Sequence, residues 1–230
     1  MKKSILFSVL VVGATLLQAQ SITVHQTCGQ NGQVLVIETN GHECVDLGLP
    51  SRTLWATCNV GATTPEDYGN YYAWGETVTK EIYDWSTYFD TNDGGNTFTK
   101  YNNNGGKTVL DPEDDAAHVN WGGSWRMPTQ AEWQELYDNC TWTWTTQNGI
   151  NGYKVTINKA GYTDKFIFLP AAGDRDDSDL GYVGSDGYYW SSSRNEYDSS
   201  HAWDLGFGSG SHDIYNVRRY YGRSVRPVLP

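Results

Sequence analysis

Trp121-Gly122-Gly123-Ser124-Trp125-Arg126-Met127-Pro128-Thr129-Gln130-Ala131-Glu132-Trp133-Gln134-Glu135-Leu136 is the stretch whose reading decides the fold. Thr129 followed three residues on by Glu132 forms a capping box, in which each side chain satisfies an unpaired backbone N–H at a helix start. Trp133, Leu136, Tyr137 and Cys140 then fall at i, i+3, i+4 and i+7, one face of a helix. Trp121, Trp125 and Trp133 give that helix a large apolar body to pack against. The spacing predicts a core helix over about 130–139.

A first helix is expected just upstream, over about 111–121. Asp111 suits the N-cap, Pro112 the first helical position, and Glu113, Asp114 and Asp115 the positive helix end. A catalytic carboxylate cluster is the sharper alternative, but capping accounts for every one of these residues. The remaining elements read as short strands. Val34 to Ile37 lies between glycine-containing turns, and Val45–Leu49 and Leu54–Val60 are split by the turn Pro50-Ser51. Gly152–Ile157, Lys165–Leu169, Trp203–Phe207 and Ser224–Val228 follow. Gly69–Gly75 is aromatic and bounded by glycines, which points to packed core. From about 84 to 108 the chain is rich in Asn, Asp and Gly and reads as a surface loop. Asp90, Asn92 and Asp93 evoke an EF-hand, but the glycine is misplaced and the twelfth position is Tyr101 rather than Glu, so the motif fails.

Residues 1–19 have the form of a Sec signal peptide: Met1-Lys2-Lys3 is basic, Ile5–Leu17 apolar, and Ala19 precedes a cleavage point. The apolar run is shorter than the roughly 18–20 residues of a spanning helix, and no cysteine follows it closely enough for a lipid anchor. The expected organisation is a leader (1–19), an N-terminal strand or linker (20–40) and one domain (41–230). The location would be secreted, periplasmic or cell-surface, with no membrane insertion after cleavage. The chain has 230 residues, with 16 Lys+Arg against 27 Asp+Glu and a net charge of −11. That balance argues against nucleic acid, whose phosphates demand a basic footprint. The four cysteines, Cys28, Cys44, Cys58 and Cys140, lack zinc spacing. In an oxidising compartment they allow three connectivities, of which Cys28–Cys44 and Cys58–Cys140 are the expected one. A buried free thiol is the alternative for the second pair, because Cys140 belongs to the helix's apolar face.

Trp125-Arg126-Met127-Pro128-Thr129, with Glu132-Trp133 and Leu136, resembles a signature of the formylglycine-generating and C-type-lectin-like superfamily. Further strings resemble one paralogous family within it. They are Val45–Ser51, Leu54–Ala62, Asp111–Ala117, Tyr189-Trp190-Ser191-Ser192-Ser193 and Gly222-Arg223-Ser224-Val225-Arg226-Pro227-Val228. On these motifs, spread over residues 41–230, the chain resembles the Fibrobacter succinogenes major paralogous domain, found in secreted proteins of gut Bacteroidetes. The resemblance implies an α+β, C-type-lectin-like fold of mixed short strands, two helices and long loops. It implies export but no common activity.

The superfamily's enzymatic chemistry finds little support in the residues. Formylglycine-type catalysis needs reactive cysteines late in the fold, and the last here is Cys140. The five histidines (25, 42, 118, 201 and 212) lack the spacing of an iron site. No G-x-S-x-G, H-E-x-x-H or phosphate-binding loop is present. Trp203-Asp204 is only a fragment of a calcium-lectin motif. The expectation is therefore no catalytic residues, no metal and no cofactor. What remains is a late surface: Arg194, Glu196, Tyr197, Asp198, His201, Asp204, His212, Asp213, Tyr215 and Arg218. Mixtures of Tyr, Asp, Ser and Gly build adaptable binding faces, with tyrosine supplying rigid contact area. Alternation places Trp203, Leu205 and Phe207 on one face of their strand and Asp204 on the other. Arg223 and Arg226 are assigned to structure, paired with buried carboxylates.

The expected function is thus a non-catalytic binding or adhesion domain for a glycan or protein. The alternatives are a carboxylate-based hydrolase acting on polysaccharide, which requires two suitably spaced acids, and a purely structural surface domain. Asp174-Arg175-Asp176-Asp177-Ser178-Asp179 is read as an exposed acidic turn without a calcium site. The exposed late residues also belong largely to the set reachable by changing adenines in Asn codons. Retroelement-driven variation is one origin for that pattern, and ordinary divergence of a permissive loop is the simpler one.

Overall fold

The computed structural model describes residues 4–6, 22–29, 32–105 and 107–230, with side chains described from residue 37 onward. The expected leader lies outside the described residues except for Ser4–Leu6, which forms a short strand, β1. β1 pairs with β2 (Ile22–Gly29), β2 with β3 (Gly32–Thr39), and β3 with β4 (His42–Val45), all antiparallel. β5 (Leu54–Ala56) and β14 (Val228–Leu229) complete this six-stranded sheet. The segment expected as an N-terminal strand or linker is thus hydrogen-bonded into the same sheet as the start of the domain. Asn40 (φ 51°) and Gly41 (φ 78°) make the two-residue turn between β3 and β4, since Asn and Gly tolerate the positive φ this hairpin demands.

Three smaller antiparallel sheets follow. One joins β6 (Cys140–Gln147), β7 (Ile150–Ile157) and β8 (Phe166–Pro170). β9 (Asp174–Asp176) pairs with β10 (Asp179–Gly181), and β11 (Asp186–Arg194) with β12 (His201–Gly208) and then β13 (Ser211–Arg218). Two α-helices stand among these strands in the described residues: α1 (Ala116–Trp121) and α2 (Gln130–Asn139). The architecture is mixed, mostly antiparallel strands in small sheets with two helices.

α2 begins as its residues dictate. Thr129 Oγ1 accepts from the Glu132 N–H (3.2 Å), and the Thr129 N–H donates to Glu132 Oε2 (2.8 Å). Arg126 then grips the same carboxylate with both guanidinium nitrogens, at 2.6 and 2.7 Å. Trp133 and Leu136 are fully buried, and the helix ends at Cys140, the first residue of β6. The upstream helix is shorter than expected. Pro112–Asp114 is a single 3-10 turn, and the cap of α1 is Asp115, not Asp111. The Asp115 carboxylate accepts from the N–H groups of Ala117, His118 and Met127, so it ties α1 to the approach of α2.

Apolar side chains gather in two main clusters. One holds Trp74, Trp121, Trp125 and Trp190; the other holds Trp55, Trp133, Leu205 and Phe207. β11 and β12 run between them, with Tyr189 on one side and Trp190 on the other. Segment 71–74 is core, as its aromatic composition indicates. The 84–108 segment, expected as a loose surface loop, has no helix or strand among its described residues but is pinned inward. Buried Asp90 accepts from the N–H groups of Thr99, Lys100 and Tyr101 and pairs with buried Arg219 at 3.4 Å.

The structure corrects the expected disulfides. Cys44, Cys58 and Cys140 are free thiols. The Cys28 side chain lies outside the described residues, but the register sets it opposite Gln33, whereas Cys44 stands opposite Ile37, with β3 between them. Their backbones are too far apart for an S–S bond. Cys44 packs in the first cluster and Cys140 against the second. Burial pushes the thiols of Cys44 and Cys140 up to about 12, which keeps them protonated and unreactive.

Candidate functional site

The ten candidate residues do not converge on one site. Arg194 is buried: its Nε donates to the Lys107 carbonyl (3.1 Å) and its Nη1 to Asn103 Oδ1 (2.6 Å) and the Asn195 carbonyl (2.7 Å). It anchors the end of β11 and presents nothing to solvent. Asp204 is 1% exposed and ion-paired with Arg223. Both residues are corrected from surface to interior, because β12 lies between the two apolar clusters and the end of β11 is held against Asn103 and Lys107.

Glu196, Tyr197 and Asp198 lie in the turn between β11 and β12, where Tyr197 is 83% exposed, and His201 opens β12 beside them. His201 Nδ1 lies 2.9 Å from Asp198 Oδ2 and 2.8 Å from Ser200 Oγ, which itself donates to Asp198 Oδ1. The residue types are those of a nucleophile triad, but the geometry is not. Acid and hydroxyl meet the same ring nitrogen, so the imidazole cannot relay a proton between them. Arg218 is exposed and stands opposite His201 in the sheet. His212 turns to the other face, stacked 4.5 Å from Trp142 and within 5.0 Å of the Tyr137 ring. Burial there holds its imidazole below the usual value, against the opposing charge of Asp213.

Tyr215 and Asp213 remain exposed, and the register shows what surrounds them. Asp213 stands opposite Gly206, and Gly206 opposite Tyr188. The rings of Tyr215 and Tyr188 close over Gly206: a Cβ there would lie 2.9 Å from Tyr215 Cδ2 and 3.5 Å from Tyr188 Cδ1. Tyr182, 65% exposed, meets Tyr188 edge-on at 6.3 Å. Tyr182 from the β10–β11 turn, Tyr188 on β11 and Tyr215 on β13 therefore form an aromatic strip that passes over Gly206 of β12. Composition named Tyr215 but missed Tyr182 and Tyr188. Gly206 of β12, with Tyr188 opposite it on β11 and Tyr215 near it on β13, would have pointed to Tyr188 had the register been known; Tyr182 comes from the β10–β11 turn and carries no such signal.

Beneath the strip lies Arg223. Its guanidinium is 4.6 Å from the centroid of Tyr188, 5.2 Å from Trp190 and 5.5 Å from Tyr221. It pairs with Asp204 through Nη1 and with Asp174 through Nη2 at 3.4 Å. Burial, reinforced by Asp174, pushes the Asp204 carboxyl up to about 6 despite the guanidinium beside it. Asp204 and Asp174, held on the same guanidinium among aromatic rings, are the kind of acid pair a hydrolase would need. A glycosidase acid must touch the scissile oxygen, and the Asp204 side chain is fully enclosed. Arg226, expected to pair with a carboxylate, instead donates to Asn59 Oδ1 and to the carbonyls of Ala56, Thr57 and Phe168.

Among the described residues, the carboxylates close enough to share a metal are Asp111, Glu113 and Asp114. Lys100 Nζ already lies among them, 3.0 Å from Glu113 and 3.2 Å from Asp111. In the acidic 174–179 segment, Asp174 turns inward to Arg223 while Asp176, Asp177 and Asp179 face solvent. No helix among the described residues is long and apolar enough to cross a membrane.

Residues 157–228 match a family described only as a domain of unknown function, DUF8237. The matched region runs from the end of β7 to the start of β14, so it contains the aromatic strip and the arginine-bearing closing segment. No curated protein and no solved structure matches the chain.

Proposed function

We propose that this chain is an exported, non-catalytic binding domain that takes a glycan on the tyrosine strip of β11–β13. The observation that carries the reading is the strip itself: exposed Tyr182 in the β10–β11 turn, half-buried Tyr188 on β11 and exposed Tyr215 on β13. Aromatic faces match the apolar C–H faces of sugar rings, and Asp213 at the edge offers a carboxylate acceptor to hydroxyls. The cation buried under Tyr188 holds the ring in place, so little ordering is left for the ligand to impose.

The antiparallel sheets, two helices and capped α2 suit a C-type-lectin-like fold, and the motifs between Val45 and Val228 suit the Fibrobacter paralogous family. The leader-like first 19 residues support a secreted, periplasmic or cell-surface location. Screening the purified chain on a glycan array tests the function. Tyr182→Ala with Tyr215→Ala should weaken any captured glycan about tenfold, the worth of two stacking contacts. Capture of a glycan that is unchanged in the double variant would place the site elsewhere. Binding only to protein ligands would favour a protein-recognition domain on the same face.

A further inference from the structure

A second feature lies against the β9–β10 hairpin. There a cleft of about 500 Å³ opens between the 69–71 segment, the 79–83 segment and the hairpin. Its walls are fastened to one another. The Tyr71 hydroxyl donates to the Ala172 carbonyl (2.6 Å) and the Tyr83 hydroxyl to the Tyr71 carbonyl (2.7 Å). Tyr83 and Asp177 exchange backbone hydrogen bonds at 2.9 and 3.0 Å. The cleft is therefore built into the fold, as small-molecule sites usually are.

Its chemistry is set by Arg175. Arg126, Arg219 and Arg223 each hold a carboxylate, whereas Arg175 pairs with none among the described residues. Its guanidinium rests 5.4 Å from the centroid of Tyr71, which orients the planar fork without using its donors. The other cation in the lining, Lys80, is already bound by Glu76 at 2.9 Å. Asn70, Thr79 and Ser178 add an amide and two hydroxyls to the walls. One free guanidinium fits one carboxylate, which it can grip through two parallel N–H···O bonds. A doubly charged phosphate fits less well, because the lining offers a single unpaired cation, Arg175, to balance its two charges.

We infer that this cleft binds the carboxylate of a uronic-acid residue, so that the glycan recognised is an acidic one. The inference rests on the reading of the chain as a glycan-binding domain. The sugar carboxylate would sit on Arg175, and its hydroxyls would meet Asn70, Thr79 and Ser178. Neighbouring sugars would continue past the hairpin toward the tyrosine strip.

Calorimetry of the chain with an oligogalacturonide and with its methyl-esterified form isolates the carboxylate. The acid form should bind at least about tenfold tighter, the usual margin for a charge-assisted bidentate pair. Arg175→Gln should abolish that preference, and Arg175→Lys should restore only part of it, since an ammonium cannot make the fork. Tyr182→Ala with Tyr215→Ala should weaken both forms alike. Equal binding of acid and ester would overturn the inference, as would a preference that survives Arg175→Gln. A peptide with a free C-terminal carboxylate that competes better than the oligogalacturonide would also overturn it. If neutral glycans bind the strip while neither uronide form binds, this inference fails and the proposed function stands. If no glycan binds at all, both fail.

Discussion

β12 and β13 are antiparallel neighbours of eight residues, and each carries a histidine, an aspartate and an aromatic residue. Their fates differ. β12 buries Ala202, Asp204, Leu205, Gly206 and Phe207, whereas no residue of β13 is fully buried. The cause is position. β12 is hydrogen-bonded on both sides and lies between the two apolar clusters, while β13 has a partner strand on one side only. An aspartate in β12 therefore becomes half of an internal ion pair, and an aspartate in β13 becomes surface. The role of a polar residue in this part of the chain follows from its neighbours, not from its type.

The largest test of that contrast is Asp204→Ala. It leaves the buried Arg223 guanidinium with only Asp174, and breaking one side of such a cluster should cost about 3–5 kcal/mol in urea unfolding. Asp213→Ala in β13 should change stability by less than about 0.5 kcal/mol. Equal costs would break the comparison. The pH dependence sharpens it. The Asp204 carboxyl is raised to about 6 in the folded chain, above the roughly 3.9 of an unfolded aspartate. The folded state thus holds this proton more tightly, and the group's contribution is fully present below pH ~3.9 and lost as pH rises through about 6. The stability of the wild type relative to Asp204→Asn should fall over that window. A relative stability that rises with pH would mean the Arg223 attraction outweighs burial.

Two sheet glycines make a smaller test. A Cβ on Gly187 would lie 2.2 Å from the ring of Phe207, a buried residue of β12. A Cβ on Gly206 would lie 2.9 Å from the ring of Tyr215, which is 48% exposed on β13. The buried ring has nowhere to go and the edge ring can swing outward. Gly187→Ala should therefore cost about 2–3 kcal/mol and Gly206→Ala about 1 kcal/mol or less, by thermal or urea unfolding. A reversed order would show Tyr215 to be as confined as Phe207.

The same distinction between local and neighbour-dependent properties decides what was legible in the sequence. The α2 cap was readable because Thr129 and Glu132 are three residues apart and complete their bonds within one turn. Asp115 was hidden as the α1 cap because Asp111-Pro112, four residues earlier, offers the same cap-and-proline pattern, which serves the 3-10 turn instead. β6 escaped notice although Asn148-Gly149 makes its hairpin turn, with φ of 48° and 86°. Its alternating Thr and Trp residues follow directly on the helix without a break. The strand period of Trp203–Phe207 was visible, but alternation assumes one solvated face, and β12 has none. The buried network of Arg219, Arg223 and Arg226 was half legible. Arg223 finds its carboxylates, but Arg226 satisfies carbonyls and an amide brought in from residues 56–59 and 168. The aromatic strip was invisible, because it exists only once three strands are in register.

The smallest expected effect on stability comes from the strip itself. Tyr215 projects from an edge strand, is half exposed, and covers a glycine rather than filling a cavity. Removing its ring leaves no buried polar group and little enclosed space, so Tyr215→Ala should shift unfolding by no more than about 0.5 kcal/mol. A structural residue of the same size, such as the enclosed Tyr189, should cost about 3–5 kcal/mol when cut to alanine. An edge tyrosine that contributes little to stability while lying near Tyr188 over Gly206 is arranged for contact outside the fold. If Tyr215→Ala destabilised the chain as much as Tyr189→Ala, the ring would be part of the core, and β13 would resemble β12 after all. A fold unchanged in stability with glycan capture weakened would separate the two strands by function as well as by burial.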